Sequence, residues 1–173
     1  MPRSIHRFIA LALWAGAALG ALAEPPMNPP SPTQAATEGL AVIVHRSNPM
    51  ENLTFAELRK LCLAQRRQWD HGRKVTIVLR EAEYLERAVV LEKVYGMQED
   101  EFERFFLQEK FIGNVQVSPK QLSTAGGVRR FVFNVPGALG FVRASDVDDT
   151  VKVIRLDGKS ASDSTYPLQI PIK

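Results

Sequence analysis

The sequence predicts an α/β domain in which a mixed or mostly parallel sheet is flanked by helices. Two continuous apolar runs, residues 40–44 (LAVIV) and 75–79 (VTIVL), are β-prone and largely free of polar alternation, the pattern of strands buried on both faces. Segments with helical spacing of apolar residues separate these runs from further short β-prone stretches, so strands and helices alternate. The folded part, residues 39–173, is about 135 residues long, enough for one hydrophobic core and not for two full domains.

After a turn at Ser47-Asn48-Pro49, Thr54 is placed to cap a helix, with Glu57 completing a capping box. Phe55, Leu58, Leu61 and Cys62 share one face of that helix, which is expected to end near Ala64. Residues 65–74 read as a polar loop. The run 75–79 is the second strand, and a helix over residues 85–95 follows it, stopped by Gly96, which suits the left-handed conformation that ends helices. Residues 99–110 form another helix with an apolar stripe of Phe102, Phe105, Phe106 and Leu107; Gly113 ends that unit. The small, polar stretch Ser123-Thr124-Ala125-Gly126-Gly127 leads into a helix over residues 128–135. Pro136-Gly137 then turns the chain into a third strand at 138–142, followed by strands at 151–156 and 168–172.

The N-terminal segment reads differently. Arg3 and Arg7 precede an apolar run from Phe8 to Leu22, and Ala21-Leu22-Ala23 has the small-x-small pattern of a signal-peptidase site. Residues 1–23 are therefore expected to be a secretory signal peptide, and the protein periplasmic. The run is shorter than the ~18 to 20 residues a membrane span needs, so no stable span is expected after cleavage. Residues 24–38 hold five prolines and no periodicity, the composition of a stiff linker or disordered arm. The whole chain carries 22 Lys and Arg against 19 Asp and Glu, a net charge of +3. Losing the two leader arginines lowers this to +1, and with export it removes the case for a nucleic-acid partner.

Catalytic motifs are scarce. Beyond the leader only His45 and His71 remain, and no nucleophile elbow, paired metal ligands or phosphate-cradling P-loop is present, so no enzyme activity and no cofactor is expected. Cys62 is the single cysteine, and its apolar helix face favours a buried thiol. Residues 65–69 (QRRQW) mix basic and aromatic side chains; Asp70 and the leader both favour a Trp69 folded back onto the domain.

Several segments carry a resemblance. LTFAELRKLCLAQRRQW (53–69) resembles the helix and loop that open the second lobe of the phosphate-binding proteins of ABC transporters. GGVRRFVFNVPGALGFV (126–142) is similar to their GxxxxV…PGAIGYV segment, and DGKSASDSTYPL (157–168) resembles their C-terminal DG…YPL segment. With FIGNVQVSP (111–119), these matches cover most of residues 40–170 in the family's order. The resemblance implies one lobe of a type II periplasmic binding protein and non-catalytic recognition of phosphate or another small oxyanion. It also implies an ABC permease or another envelope protein as partner.

The sequence departs from that family at two places. Full-length members have a first lobe with a glycine- and serine-rich anion loop, which residues 24–38 are too short and proline-rich to supply. Members also follow an Arg after the second strand with a Ser-Gly-Thr run; here Arg80 is kept, but those positions are Tyr84-Leu85-Glu86. The segment is closer to shorter relatives with an Arg inside the helix, where Arg87 stands. The expected anion site comprises Arg80 and Arg87 with Ser123, Thr124, Gly126 and Gly127 at a helix start, where free amides and the helix dipole favour negative charge. In the competing arrangement Arg80 pairs with Glu83 or Glu86 on the surface. The alternative function is an envelope interaction or sensor module that keeps the fold after losing its ligand.

Overall fold

The computed structural model describes residues 36–115 and 118–172. The expected signal peptide, and the expected linker up to residue 35, lie outside the described residues.

The centre of the sheet is β1 (Thr37–His45), whose residues Leu40 to Val44 are fully buried. Each large apolar side chain removed from water contributes roughly 1.5–3 kcal/mol, so this segment is a substantial part of the core. β1 runs antiparallel to both neighbours, β5 (Ala138–Arg143) and β6 (Val151–Leu156), and its first residues pair with β7 (Gln169–Pro171). Thr37 and Glu38, read from sequence as the end of the linker, therefore belong to the strand, opposite Pro171 and Ile170.

On one side of β1, β3 (Thr76–Arg80) lies parallel to β5 and to a short edge strand β4 (Lys120–Leu122). On the other side, β2 (Asn52–Leu53) pairs in parallel with β6. The order is β2-β6-β1-β5-β3-β4, a mixed sheet as expected. Neither β2 nor β4 was legible in the sequence: each is too short for a periodic pattern, and Lys120 and Gln121 are exposed polar residues of the kind that edge strands carry.

Helices flank this sheet. α1 (Phe55–Cys62) starts at the capping box of Thr54 and Glu57, in which the Thr54 Oγ1 accepts from the Glu57 amide and the Glu57 carboxylate accepts from the Thr54 amide. It stops at Cys62, because Ala64 already has the left-handed φ of 57°. α2 (Leu85–Val90) continues into a π-helical turn over Leu91–Tyr95 and ends at Gly96, whose φ of 69° confirms the expected stop. The widened turn sets the Tyr95 ring edge-on to Phe102, 5.0 Å between centroids, and to Phe106.

α3 (Glu99–Phe111) buries Phe102 and Phe106, but Leu107 is 70% exposed and leaves the expected stripe, since it lies a further 100° around the helix from Phe106. α4 (Ala125–Asn134) begins three residues earlier than expected because Thr124 caps it. It packs across β1, β3 and β5, and closely so at Gly140, where a Cβ would come within 2.7 Å of the Val128 methyl.

Trp69 folds back as expected: its Nε1 donates to the Gly137 carbonyl at 3.0 Å from a buried position. Cys62 is buried, and burial pushes its thiol up to about 12. Among the described residues, no helix is long and apolar enough to cross a membrane.

Candidate functional site

Arg80 is the last residue of β3. Its pairing with Leu122, and the hydrogen bond from the Glu81 amide to the Leu122 carbonyl (3.2 Å), bring the end of β3 beside the end of β4. Ser123 and Thr124 follow immediately, so the strand end that carries Arg80 and the start of α4 share one edge of the sheet. In open α/β sheets this carboxyl edge is where ligands bind.

At the helix start the Thr124 Oγ1 accepts from the Gly127 amide at 2.9 Å. The Ala125 and Gly126 amides belong to the first turn, whose donors have no partner within the helix. A side chain at Gly127 would put its Cβ 2.9 Å from Thr124 Oγ1 and disturb the cap, whereas Gly126 has open space apart from Arg129. The two glycines thus differ: Gly127 protects the cap, and Gly126 leaves the helix end bare.

Arg80 itself is 8% exposed. Its guanidinium lies 3.8 Å from the centroid of the Tyr84 ring, a cation–π contact, while its Nε is buried with no hydrogen-bond partner. Among the described residues no carboxylate pairs with it, so the expected surface pair with Glu83 or Glu86 does not form. Glu86 is taken by Arg143, with Nε to Oε1 at 2.7 Å. The same guanidinium holds Glu38 at 2.8 Å and the Pro171 carbonyl at 3.0 Å.

Burial pushes the Glu86 carboxyl upward, but the bonds from its own backbone amide and from Arg143, with the charges of Arg143 and Arg80, leave it below the ordinary carboxylate value. Glu38 behaves likewise: burial raises it, and bonds to Arg143 and Ser145 outweigh that. Glu86 thus bonds directly to Arg143 and reaches Arg80 only through its charge.

Arg87 corrects an expectation. It is 1% exposed, its Nε and Nη2 are bound to the Glu99 carboxylate, and its Nη1 donates to the Arg80 carbonyl at 3.2 Å. Its ring contact is Phe102, 4.9 Å from Cζ to the centroid. With its fork spent on Glu99, Arg87 holds the strand end in place and is not offered to an anion. Tyr84, Arg143 and Glu38 were missed in the sequence. A Tyr at a helix N-cap four residues after a strand-ending Arg was the only local signal, and the other two meet only in the fold.

The arrangement offers one buried guanidinium with no carboxylate in salt-bridge contact among the described residues, on the strand end whose backbone lies beside the segment that leads into a bare helix start. It has the parts to hold a small anion by charge-assisted hydrogen bonds, and no nucleophile paired with a base. Among the described residues, no group of three His, Cys, Asp or Glu is placed to hold a metal.

No family model matches the chain. Its fold is found in solved substrate-binding proteins of phosphate ABC transporters. An ABC-type phosphate transport receptor from Vibrio cholerae superposes with a TM-score of 0.65 at 24% identity, over 79% of this chain and 55% of that one. A putative phosphate ABC transporter substrate-binding protein from Clostridium perfringens, solved with bound phosphate, matches with a TM-score of 0.65 at 23% identity, over 79% and 54%. PstS from Borrelia burgdorferi matches with a TM-score of 0.60 at 12% identity, over 79% and 56%. The chain spans about half the length of these proteins.

Proposed function

We propose that the protein is an exported, periplasmic solute-binding-type module that recognises phosphate or another small oxyanion without catalysis. Arg80 supplies the charge, and the segment Ser123-Thr124-Ala125-Gly126 at the start of α4 supplies backbone amides, with Gly127 keeping the Thr124 cap in place. The observation that carries this reading is the buried Arg80 guanidinium, which among the described residues has no carboxylate in salt-bridge contact and an unpartnered Nε, because a buried charge without a direct partner is costly and an oxyanion would offset that cost. The fold shared with phosphate-transport binding proteins supports it. An ABC permease or another envelope protein would be the partner that receives the liganded form.

The test is a thermal-shift series on the full chain with phosphate, sulfate and related anions. Ligand at 100 times its dissociation constant adds about 2.7 kcal/mol to stability, which raises the melting temperature by several degrees in a domain of this size. A transition unmoved by millimolar anions would refute anion binding.

The second reading is an envelope interaction or sensor module that has lost its ligand. It is favoured by Tyr84, whose ring already occupies one face of the Arg80 guanidinium where the resembling family has a small residue. Under that reading the anion series is silent and affinity purification from envelope extracts recovers a stoichiometric protein. Export itself is checked by N-terminal sequencing of the periplasmic form, expected to start at Glu24.

A further inference from the structure

At the opposite end of β3 from Arg80, roughly 13 Å along a five-residue strand, lies a cleft of about 450 Å³. This falls within the ~300 to 1,000 Å³ usual for small-molecule sites. Its floor is apolar: Leu61 and Cys62 at the end of α1, Ile77 in β3 and Phe106 in α3. Burial keeps the Cys62 thiol protonated, so the floor carries no charge.

The rim has one sign. Arg66, Arg67 and Lys74 line the cleft, and no Asp or Glu is among its described lining residues. Arg66 is bound by Asp70, which lies outside the cleft and is mostly exposed. Arg67 is exposed, its Nε donates to the Ala64 carbonyl at 3.3 Å, and among the described residues no carboxylate is paired with its terminal nitrogens. The turn that brings these two arginines to the rim is strained: Ala64, also in the wall, has a φ of 57°, a conformation that costs an L-residue roughly 1–2 kcal/mol. Such strain persists where the surrounding structure holds it, and it gathers at ligand clamps.

We propose that this cleft is a second binding site, for a small organic anion with an apolar body, the simplest case being a medium-chain carboxylate. The chain of the ligand lies against Leu61, Ile77 and Phe106, where its burial drives binding. The carboxylate meets the basic rim, where Arg67 forms the charge-assisted contact. The site is separate from the Arg80 edge, and its occupancy does not depend on the oxyanion function.

The experiment is isothermal titration of the full chain with decanoate, with decyltrimethylammonium as the cationic counterpart and saturating inorganic phosphate as competitor. Expected are saturable one-to-one binding of decanoate, an affinity about tenfold lower for Arg67→Glu with an unchanged circular dichroism spectrum, and no effect of phosphate. Absence of saturable decanoate binding, equal binding of the cationic detergent, an Arg67→Glu variant that binds as the wild type does, or displacement by phosphate would each overturn the proposal. The last of these would assign decanoate to the Arg80 edge, and a silent phosphate series leaves the decanoate result to stand alone.

Discussion

Arg87 donates from Nη1 to the carbonyl oxygen of Arg80 at 3.2 Å, so one buried arginine holds the strand end that presents another. The two differ in how their charge is met. Arg87 is paired directly with Glu99, whereas Arg80, among the described residues, has the face of Tyr84 and the field of Glu86 but no carboxylate in salt-bridge contact.

That difference separates their mutants. Arg87→Met removes the Glu99 pair, the bond to the Arg80 carbonyl and the contact with Phe102. Breaking a buried pair costs about 3–5 kcal/mol, and since the Glu99 side chain is one third exposed and regains water, the expected loss is about 2–4 kcal/mol in urea unfolding.

Arg80→Met should behave in the opposite sense. It removes a buried cation that has no salt bridge among the described residues and keeps most of the stacking surface over Tyr84, so the ligand-free protein is expected to unfold at equal or higher urea, by up to about 1 kcal/mol. The same variant loses any stabilisation by phosphate. A variant destabilised by more than 1 kcal/mol would mean that Arg80 is held by the fold for its own sake.

The Arg143 cluster sets the acid limb of stability. Glu38 and Glu86 are both held below their ordinary value of 4.5 in the folded state. A lowered folded value means that the unfolded chain takes up protons first, so this stabilisation is fully present above about pH 4.5 and is lost as pH falls through the lower folded values. Arg143→Met weakens the contacts that lower both groups. Urea midpoints measured at neutral pH and between about pH 3 and 4 are expected to fall less steeply for the variant than for the wild type.

Ala64→Gly tests the strained turn after α1. At a φ of 57° glycine avoids the roughly 1–2 kcal/mol steric cost of an L-residue, against about 0.5–1 kcal/mol of extra chain entropy in the unfolded state. The expected net is a stabilisation of about 0.5–1 kcal/mol, read as a rise in melting temperature; a drop would show that the turn holds alanine without strain.

Much of the secondary structure was legible because its causes are local. The Thr54–Glu57 box, the Gly96 stop and the apolar runs of β1 and β3 each depend on residues within a few positions of one another. The π-helical turn at Leu91–Tyr95 was not, since no residue type marks it and it answers to the packing of Tyr95 on Phe102 and Phe106. β2 and β4 escaped because strands of two and three residues exist only through their neighbours.

The candidate site divides along the same line. The sequence alone was enough to mark Arg80, Thr124 and the two glycines, because a strand end and a helix start leave a signature in consecutive residues; that Thr124 is the cap of α4 came from the structure. Only the tertiary structure decided which charges meet. Arg143 pairs with Glu86 across 57 positions and with Glu38 across 105, and Arg87 turns to Glu99 rather than to the anion edge. Ion pairs between distant segments are set by where the sheet and helices bring them, and neither spacing nor composition carries that distance.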